Sequence, residues 1–563
     1  MIKFLLNISL TLLLATSTLA QNPGPNVAWQ KCFSTTGEDT FHALKQLDDG
    51  NYLATLWFQN RDNFLSTDTS AGYYLVKFDH MFNVIWKHYI PLLATKIIVL
   101  PNKEIILGGL TGHSTNKGNI FPNIHGDTIN QFPDVGVIKY DSTGQNVIWA
   151  FAYGSSGDES NLYDMISTSD NGFLLTSITR GNDGDIPNRA CYSPFDYGDA
   201  FILKIDSIGQ KKWIKVVGGS GGDACLGSII VNGQNEYIIP VFSTSEDCDF
   251  EGTQPFQSSL LNFRQLWIVL NNDGLESKRI LDETGKLNYE QKKAWKRGNR
   301  IYSIGFNESK IAYSPTYPFH DNWDATINVF DDSLNLIKQK LFGGKGFDLF
   351  LDHIYDEDGN HIFWGKTNSS DALGDIPALK GTDWDHWILK TDTNFNIIWS
   401  RTIGGNGRNT NLFSKKQEEI LIDGSNLIVA THIYPPKNIP SLDLECGLFF
   451  AQPWDTNKTS SDAWVIKLDL TTGIEIVPTK DFTQFKLFPN PTSNIINIHN
   501  SSPTQKQLKI AISNELGQVV KESKFEDSGN NSISIDELTN GIYFVSIYKN
   551  KKKLFSQKII VRK

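Results

Sequence analysis

The sequence predicts an all-β protein in two parts, and three observations carry that prediction. Apolar and polar residues alternate in short runs, and amphipathic helical periodicity is nearly absent. One strand–turn–strand pattern returns seven times along roughly the first 470 residues. A different β-rich text fills roughly the last 80 residues and has the size of a small β-sandwich.

The chain opens "MIKFLLNISLTLLLATSTLAQ". Lys3 gives a positive start, the Leu-rich stretch is too short to span a bilayer, and small residues precede Gln21. Residues 1–20 are therefore read as a cleavable secretory signal. The first cysteine is Cys32, which argues against lipid attachment at the cleavage junction. No later stretch is long and apolar enough for a membrane helix, so an exported, soluble chain is expected. The net charge of −10 leaves no basic surface for phosphates, which excludes a nucleic-acid partner. Among 563 residues the 45 Gly, 14 Trp and 18 Tyr favour many short strands joined by tight turns.

The repeat has the form apolar-apolar-Lys-apolar-Asp, a turn, then apolar-apolar-Trp. It reads "YLVKFDHMFNVIW", "VIKYDSTGQNVIW", "ILKIDSIGQKKW" and "ILKTDTNFNIIW", ending at Trp86, Trp149, Trp213 and Trp399. "WIVLNNDGLESKRI", "INVFDDSLNLIKQ" and "WVIKLDLTTGIEI" are degenerate copies. The seven recur every 57 to 77 residues or so. A hairpin precedes each, as in "LYDMISTSDNGFLLTSITR", and Gly-rich corners such as "VVGGSGGDA" and "LFGGKGFD" separate units. Each unit is thus four antiparallel strands with a long loop between the second and third.

A lone four-stranded sheet cannot bury both faces, whereas a ring of stacked sheets buries them and hides most edges. Residues 27–477 therefore resemble a seven-bladed β-propeller, with 21–477 as the domain and 478–484 as a linker. "NVAWQKCF" near the start looks like a fourth strand without its first three. The last repeat has a weak fourth strand, so residues 27–34 are expected to complete it.

"GDIP" occurs twice, with Asp183 and Asp185 in one copy and Asp371 and Asp375 in the other. The copies fall in the same loop of repeats three and six, so turn-forming Asp residues are the main reading. A calcium loop is the alternative, although no EF-hand pattern is present. Asp158, Asp199, Asp223, Asp385 and Asp462 are expected on that same loop face. Most recur at a fixed offset, as a strand-initiating turn would, and no catalytic residue is assigned. His320, Asp321 and Asp324 form one local cluster, and Asp383, Asp385 and His386 another, but neighbours along a strand face opposite ways. The repeated Trp residues are expected between blades; Trp454, outside that register, is a candidate for stacking on a ligand. Five cysteines allow two disulfides and one thiol; Cys32–Cys446 is one expected pair, and Cys225 is expected to pair with Cys248, with Cys191 as the alternative partner.

The final text has its own landmarks: Phe488, Pro489, Asn490 and Pro491 in "FPNP", and Gly517 in "ISNELGQVV". Leu538, Gly541 and Tyr543 follow in "LTNGIYFVSI", with a basic last strand ending at Lys563. Pro489 and Pro491 impose an extended start, Gly541 is read as permitting a turn, and "KNKKK" is a charged hairpin tip that discourages edge pairing. Residues 485–563 closely resemble the type A C-terminal sorting domain of the bacterial type IX secretion system. That resemblance implies recognition by an outer-membrane translocon, and then surface attachment or release. The expected function is a secreted or surface-displayed binding or adhesion propeller without a cofactor, whose ligand is a glycan or a protein. A polysaccharide hydrolase or lyase at the Asp-rich face is the alternative.

Overall fold

A computed structural model describes residues 24–33, 39–59, 72–111, 132–189, 198–252, 262–281, 290–308, 323–369, 384–404, 419–433, 462–470, 485–488, 492–500, 508–514, 519–524 and 530–563, apart from 226, 234, 253–255, 550 and 551, with a few residues within 120–125, 256–257 and 375–379. Two compact units part between Ile474 and Glu475. No helix among the described residues is long and apolar enough to cross a membrane.

In the first unit antiparallel sheets follow one another at 39–90, 92–153, 162–217, 223–281, 290–342 and 348–403. A seventh is built from 419–469 and closed by the N-terminal strand Asn26–Phe33. That strand lies antiparallel to Asp462–Asp469, with Phe33 opposite Ala463 and Asn26 opposite Asp469. The fold is a seven-bladed β-propeller whose last blade takes its outer strand from the start of the chain. The blades are numbered one to seven in chain order.

The first strands of the blades touch those of their neighbours and so line the axis; Asp39–Gln46, for example, contacts both Leu92–Val99 and Glu419–Asp423. One apolar cluster fills each junction between blades. Leu75, Leu92, Leu107 and Ile138 pack blade one on blade two. Phe33, Phe41, Tyr52, Ile428 and Val465 pack blade one on blade seven. Each such side chain contributes about 1.5–3 kcal/mol by leaving water, so the closing junction is held like the others.

The residues of the repeat explain the blade. The repeated Lys on the third strand reaches an acid in or beside the first hairpin of its own blade. The pairs are Lys77–Asp49 at 3.1 Å, Lys139–Glu104 at 2.6 Å, Lys204–Asp170 at 2.8 Å, Lys390–Asp356 at 2.7 Å and Lys467–Asp423 at 3.0 Å. Blades four and five carry Val269 and Val329 at that position, which marks their repeats as degenerate. The repeated Asp folds the next turn. Asp79 Oδ1 accepts the N–H groups of Met81 and Asn83 at 2.8 Å, and Asp392 treats Asn394 and Asn396 alike. The repeated Trp lies between blades: Trp213 Nε1 donates to Asn272 O at 2.9 Å in blade four.

Blade four departs from the pattern. Its axial strand is split into Asp223–Ala224 and Ile230–Val231, both pairing with Glu236–Ser243. Pro240 stands within that neighbour and has no N–H to offer the ladder.

The second unit has a three-stranded sheet (Phe485–Phe488, Ile495–Asn500, Asn530–Ser534) and a four-stranded one (Val519–Lys524, Leu508–Asn514, Gly541–Lys549, Lys552–Val561). Ile496, Ile498, Ile510, Ile533, Val545 and Ile559 form their common core, as in a sandwich. Gly541 follows directly on the turn at 536–540. It is the first residue of its strand, opposite Val561, and has no left-handed backbone.

Candidate functional site

The long loops between second and third strands share one face of the ring with the corners between blades. The GDIP loop of blade three is fastened there by its aspartates. Asp183 accepts the N–H of Ser156 at 2.7 Å and its hydroxyl at 2.6 Å. The Asp185 N–H donates to Gly154 O at 2.8 Å, and Ile186 is buried in the core between blades two and three. In blade six the Asp375 N–H donates to Gly343 O at 3.1 Å and Ile376 is buried in the same way. Asp371 and Trp454 lie outside the described residues. Blade four repeats the arrangement with a sequence that hides it, "DCDF". Asp247 accepts the Ser220 N–H at 2.7 Å, the Asp249 N–H reaches Gly218 O at 3.4 Å, and Phe250 is buried.

Behind these loops, carboxyl groups meet in pairs where one blade passes to the next. The first member starts the third strand of a blade and the second starts the next blade. Asp134 and Glu159 form one pair, and Asp324 and Asp348 another; all four are fully buried. Glu159 accepts the hydroxyls of Ser155 and Thr179, both at 2.7 Å. Asp348 accepts the Gly344 N–H and the Ser369 hydroxyl, both at 2.8 Å. Burial, with the neighbouring Asp134 adding, raises the Glu159 carboxyl well above the ordinary range. Burial likewise lifts Asp348 to about 7, with Asp324 adding to it. His125 stands beside the first pair, its ring 3.4 Å from Asp134 and 3.6 Å from Asp185.

Along the axis runs a second charged array. Lys96 of blade two lies 3.2 Å from Asp164 of blade three, and Lys293 of blade five pairs with Asp352 of blade six. The carboxylates also hold backbone of the next blade. Asp164 accepts the Ile229 N–H at 2.8 Å, Asp352 that of Ile420 at 2.9 Å, and Glu419 that of Leu44 at 2.8 Å. Four of these five charges directly follow a β-bulge in their axial strand. The bulge turns that position toward the next blade. Burial pushes Glu419 up to about 7, with Lys96 and the Leu44 N–H opposing. Burial works against the Lys96 charge, but Asp164 and Glu419 hold its ammonium above the ordinary value. Sequence reasoning missed this belt. The available signal was one charge at a similar place in otherwise apolar first strands, as in "ATKII", "LYDMI" and "LDHIY".

The remaining sequence candidates are spread out. Asp158 pairs with Arg180 at 3.1 Å, Asp199 with Arg189, and Asp223 accepts the Ser245 hydroxyl at 2.7 Å. Asp385 and His386 are buried neighbours on one strand, and the His386 ring stacks on Trp364. Asp462 opens its strand, while His320, Asp321 and Asp383 lie outside the described residues. Among the described residues no three His, Cys, Asp or Glu side chains are grouped to hold a metal ion.

The expected Cys225–Cys248 bridge is absent. Cys225 is a buried free thiol in the core between blades three and four. Cys32 and Cys248 are both disulfide-bonded, and their partners lie outside the described residues. The earlier expectation rested on closeness along the sequence, but Cys225 points into the apolar packing and not toward the loop.

In the second unit Phe488 is exposed on the first strand, while Pro489, Asn490, Pro491 and Gly517 lie outside the described residues. Leu538 is buried, and the Tyr543 hydroxyl donates to Thr539 O at 3.2 Å. The Lys563 N–H donates to Asn540 Oδ1 at 2.6 Å, tying the last residue to the loop before Gly541.

Residues 486–562 match a family described as the secretion system C-terminal sorting domain. No curated protein is significantly similar to the chain. Among solved structures, it is similar to the β-propeller domain of the Trilobed protease from Pyrococcus furiosus, at 9% identity and TM-score 0.36, over 70% of this chain and 91% of that one. It is also similar to Drosophila Plexin A in complex with Semaphorin 1b, at 8% identity and TM-score 0.40, over 80% and 88%. A protein of unknown function from Bacteroides caccae matches at 9% identity and TM-score 0.28, over 59% and 90%. The sorting domain makes this a protein secreted by the type IX system, released or attached at the cell surface.

Proposed function

We propose that the propeller is a non-enzymatic binding or adhesion module, delivered to the cell exterior by its sorting domain. The signal segment takes the chain across the inner membrane and is cleaved, and the outer-membrane translocon then recognises residues 485–563. The ligand is an extracellular glycan or protein met by the loop face. One observation carries this reading. Among the described carboxylates of that face, Glu159 and Asp348 are spent within their own junctions on loop hydroxyls and N–H groups, and Asp158, Asp185 and Asp199 on basic side chains. Hydrolysis by a carboxylate pair needs two such groups facing one open cleft about 5–10 Å apart.

A glycan array and a polysaccharide-hydrolysis screen on the purified full-length secreted protein test the reading together. Saturable binding without product is expected. Turnover of any polysaccharide would replace this function with that of a secreted hydrolase or lyase.

A further inference from the structure

Gly154 lies between Asp134 and Glu159, and no larger residue would fit. A Cβ there would stand 2.4 Å from Glu159 Oε2 and 2.6 Å from Asp134 Oδ1. Those two oxygens are therefore within about 5 Å of each other, a spacing at which one negative charge strongly disfavours a second. Neither residue reaches solvent, and none of the described residues donates a hydrogen bond to Asp134 Oδ1. Its other oxygen is taken by the His125 N–H at 2.7 Å. The groups around Glu159 are donors, namely Ser155 N and Oγ and Thr179 Oγ1, and a cation would require acceptors.

We propose that Asp134 and Glu159 share one proton, held on Glu159 and donated to Asp134 Oδ1, and that this acid–carboxylate pair is a pH-sensitive fastening between blades two and three. When the proton leaves for solvent, two buried charges face each other over Gly154. Gly154 is also where the GDIP loop docks, through Asp185 N–H to Gly154 O at 2.8 Å and Gly154 N–H to Asp185 Oδ2 at 3.4 Å. Opening the pair therefore loosens a loop of the face assigned to binding.

Other charges facing the pair leave it one proton short of neutral pairing. His125 lies on the far side of Asp134 and is shared with Asp185, which also pairs with Lys211. Asp183 is occupied by Ser156, and Asp158 by Arg180. At the next junction Asp199 has its own counter-ion, Arg189. Asp324 and Asp348 repeat the geometry of the first pair, 2.4 Å and 2.6 Å from a Cβ on Gly343.

The test compares the full secreted chain with Glu159→Gln, whose amide reproduces the protonated acid. A carboxyl raised by folding binds more protons in the folded state. Its contribution is complete below the ordinary carboxyl range and is lost as pH rises toward the folded value. From pH 5 to pH 9 the wild-type melting temperature is expected to fall by about 2–4 °C more than that of the variant. Amide exchange at Asp185 should accelerate about tenfold over that range in the wild type alone. Parallel pH profiles would overturn the proposal. So would calcium chelation reproducing the alkaline loss, which would place a cation between the carboxylates. Should the variant fail to fold, infrared spectra of an Asp348→Asn, Glu419→Gln chain, which lacks the two other raised carboxyls, still decide. A protonated-carboxyl band present there at pH 6 and lost at pH 9 supports the pair, and its absence at pH 6 overturns it.

Discussion

The Glu419 carboxylate in the last blade accepts the backbone N–H of Leu44 in the first at 2.8 Å, across 375 residues of chain. This bond joins the ends of the ring near its axis, inside the outer seam made by Asn26–Phe33. Blades three and six hold their successors by the same device, through Asp164 and Asp352. The axial belt is thus a set of clasps between consecutive blades.

Glu419→Ala should cost about 2–4 kcal/mol, because it strands the Leu44 N–H and removes a counter-charge from Lys96. Glu419→Gln, which still accepts the bond, should cost less than half as much. Urea unfolding of the purified protein measures both.

The repeated lysine should matter in proportion to its burial. Lys204 is 1% exposed and donates to both oxygens of Asp170, at 2.9 and 2.8 Å. Asp170→Ala leaves that ammonium buried and should cost about 3 kcal/mol. Asp49→Ala removes the equivalent partner of Lys77, which is 23% exposed and so stays partly hydrated, and should cost under about 1 kcal/mol. Equal losses in denaturant melts would refute the burial argument.

Acid should destabilise blades five and six. His353 Nε2 and His361 Nδ1 are 3.0 Å apart in a buried stack with Trp295 and Phe363. Burial lowers His361 to about 4 and holds His353 well below its ordinary value. Histidines that stay neutral when folded lose stability as pH falls from about 6.5 toward 4, since the unfolded chain takes up the protons. His361→Phe should remove about 2–3 kcal/mol of that acid-dependent loss. Melting curves at pH 7 and pH 4.5 check it.

The free thiol gives a chemical prediction. Cys225 should resist alkylation in the native protein and react on unfolding, because burial raises its thiol far above the ordinary value. Peptide mapping should place Cys32 with Cys446 and Cys248 with Cys191, the two cysteines left for those bonds. Recovery of a Cys225-linked peptide would contradict this assignment.

Removing residues from Phe485 onward should trap a folded ring in the periplasm, since every propeller strand lies upstream and the sorting signal is gone. Cell fractionation with a protease-protection assay measures this. Arrival of the truncated chain in the medium would show that export does not depend on the tail.

The sequence alone determined what is local and repeated. Seven copies of one strand pair, with turn-forming Asp and Gly at fixed offsets, specify seven sheets on a four-stranded plan, from which blade four departs, because hairpins are set by neighbouring residues. The orphan strand "NVAWQKCF" was legible for the same reason, since it lacked the three strands every other copy had. The sorting domain was legible from ordered motifs. Contacts between repeats were not, because they depend on register across a junction and on which face a bulge presents. Only the tertiary structure set Glu159 against Asp134, turned Lys96 and Glu419 toward the axis, and buried Cys225 away from Cys248. Each pairing joins residues whose separation in sequence carries no information about distance once a ring has closed.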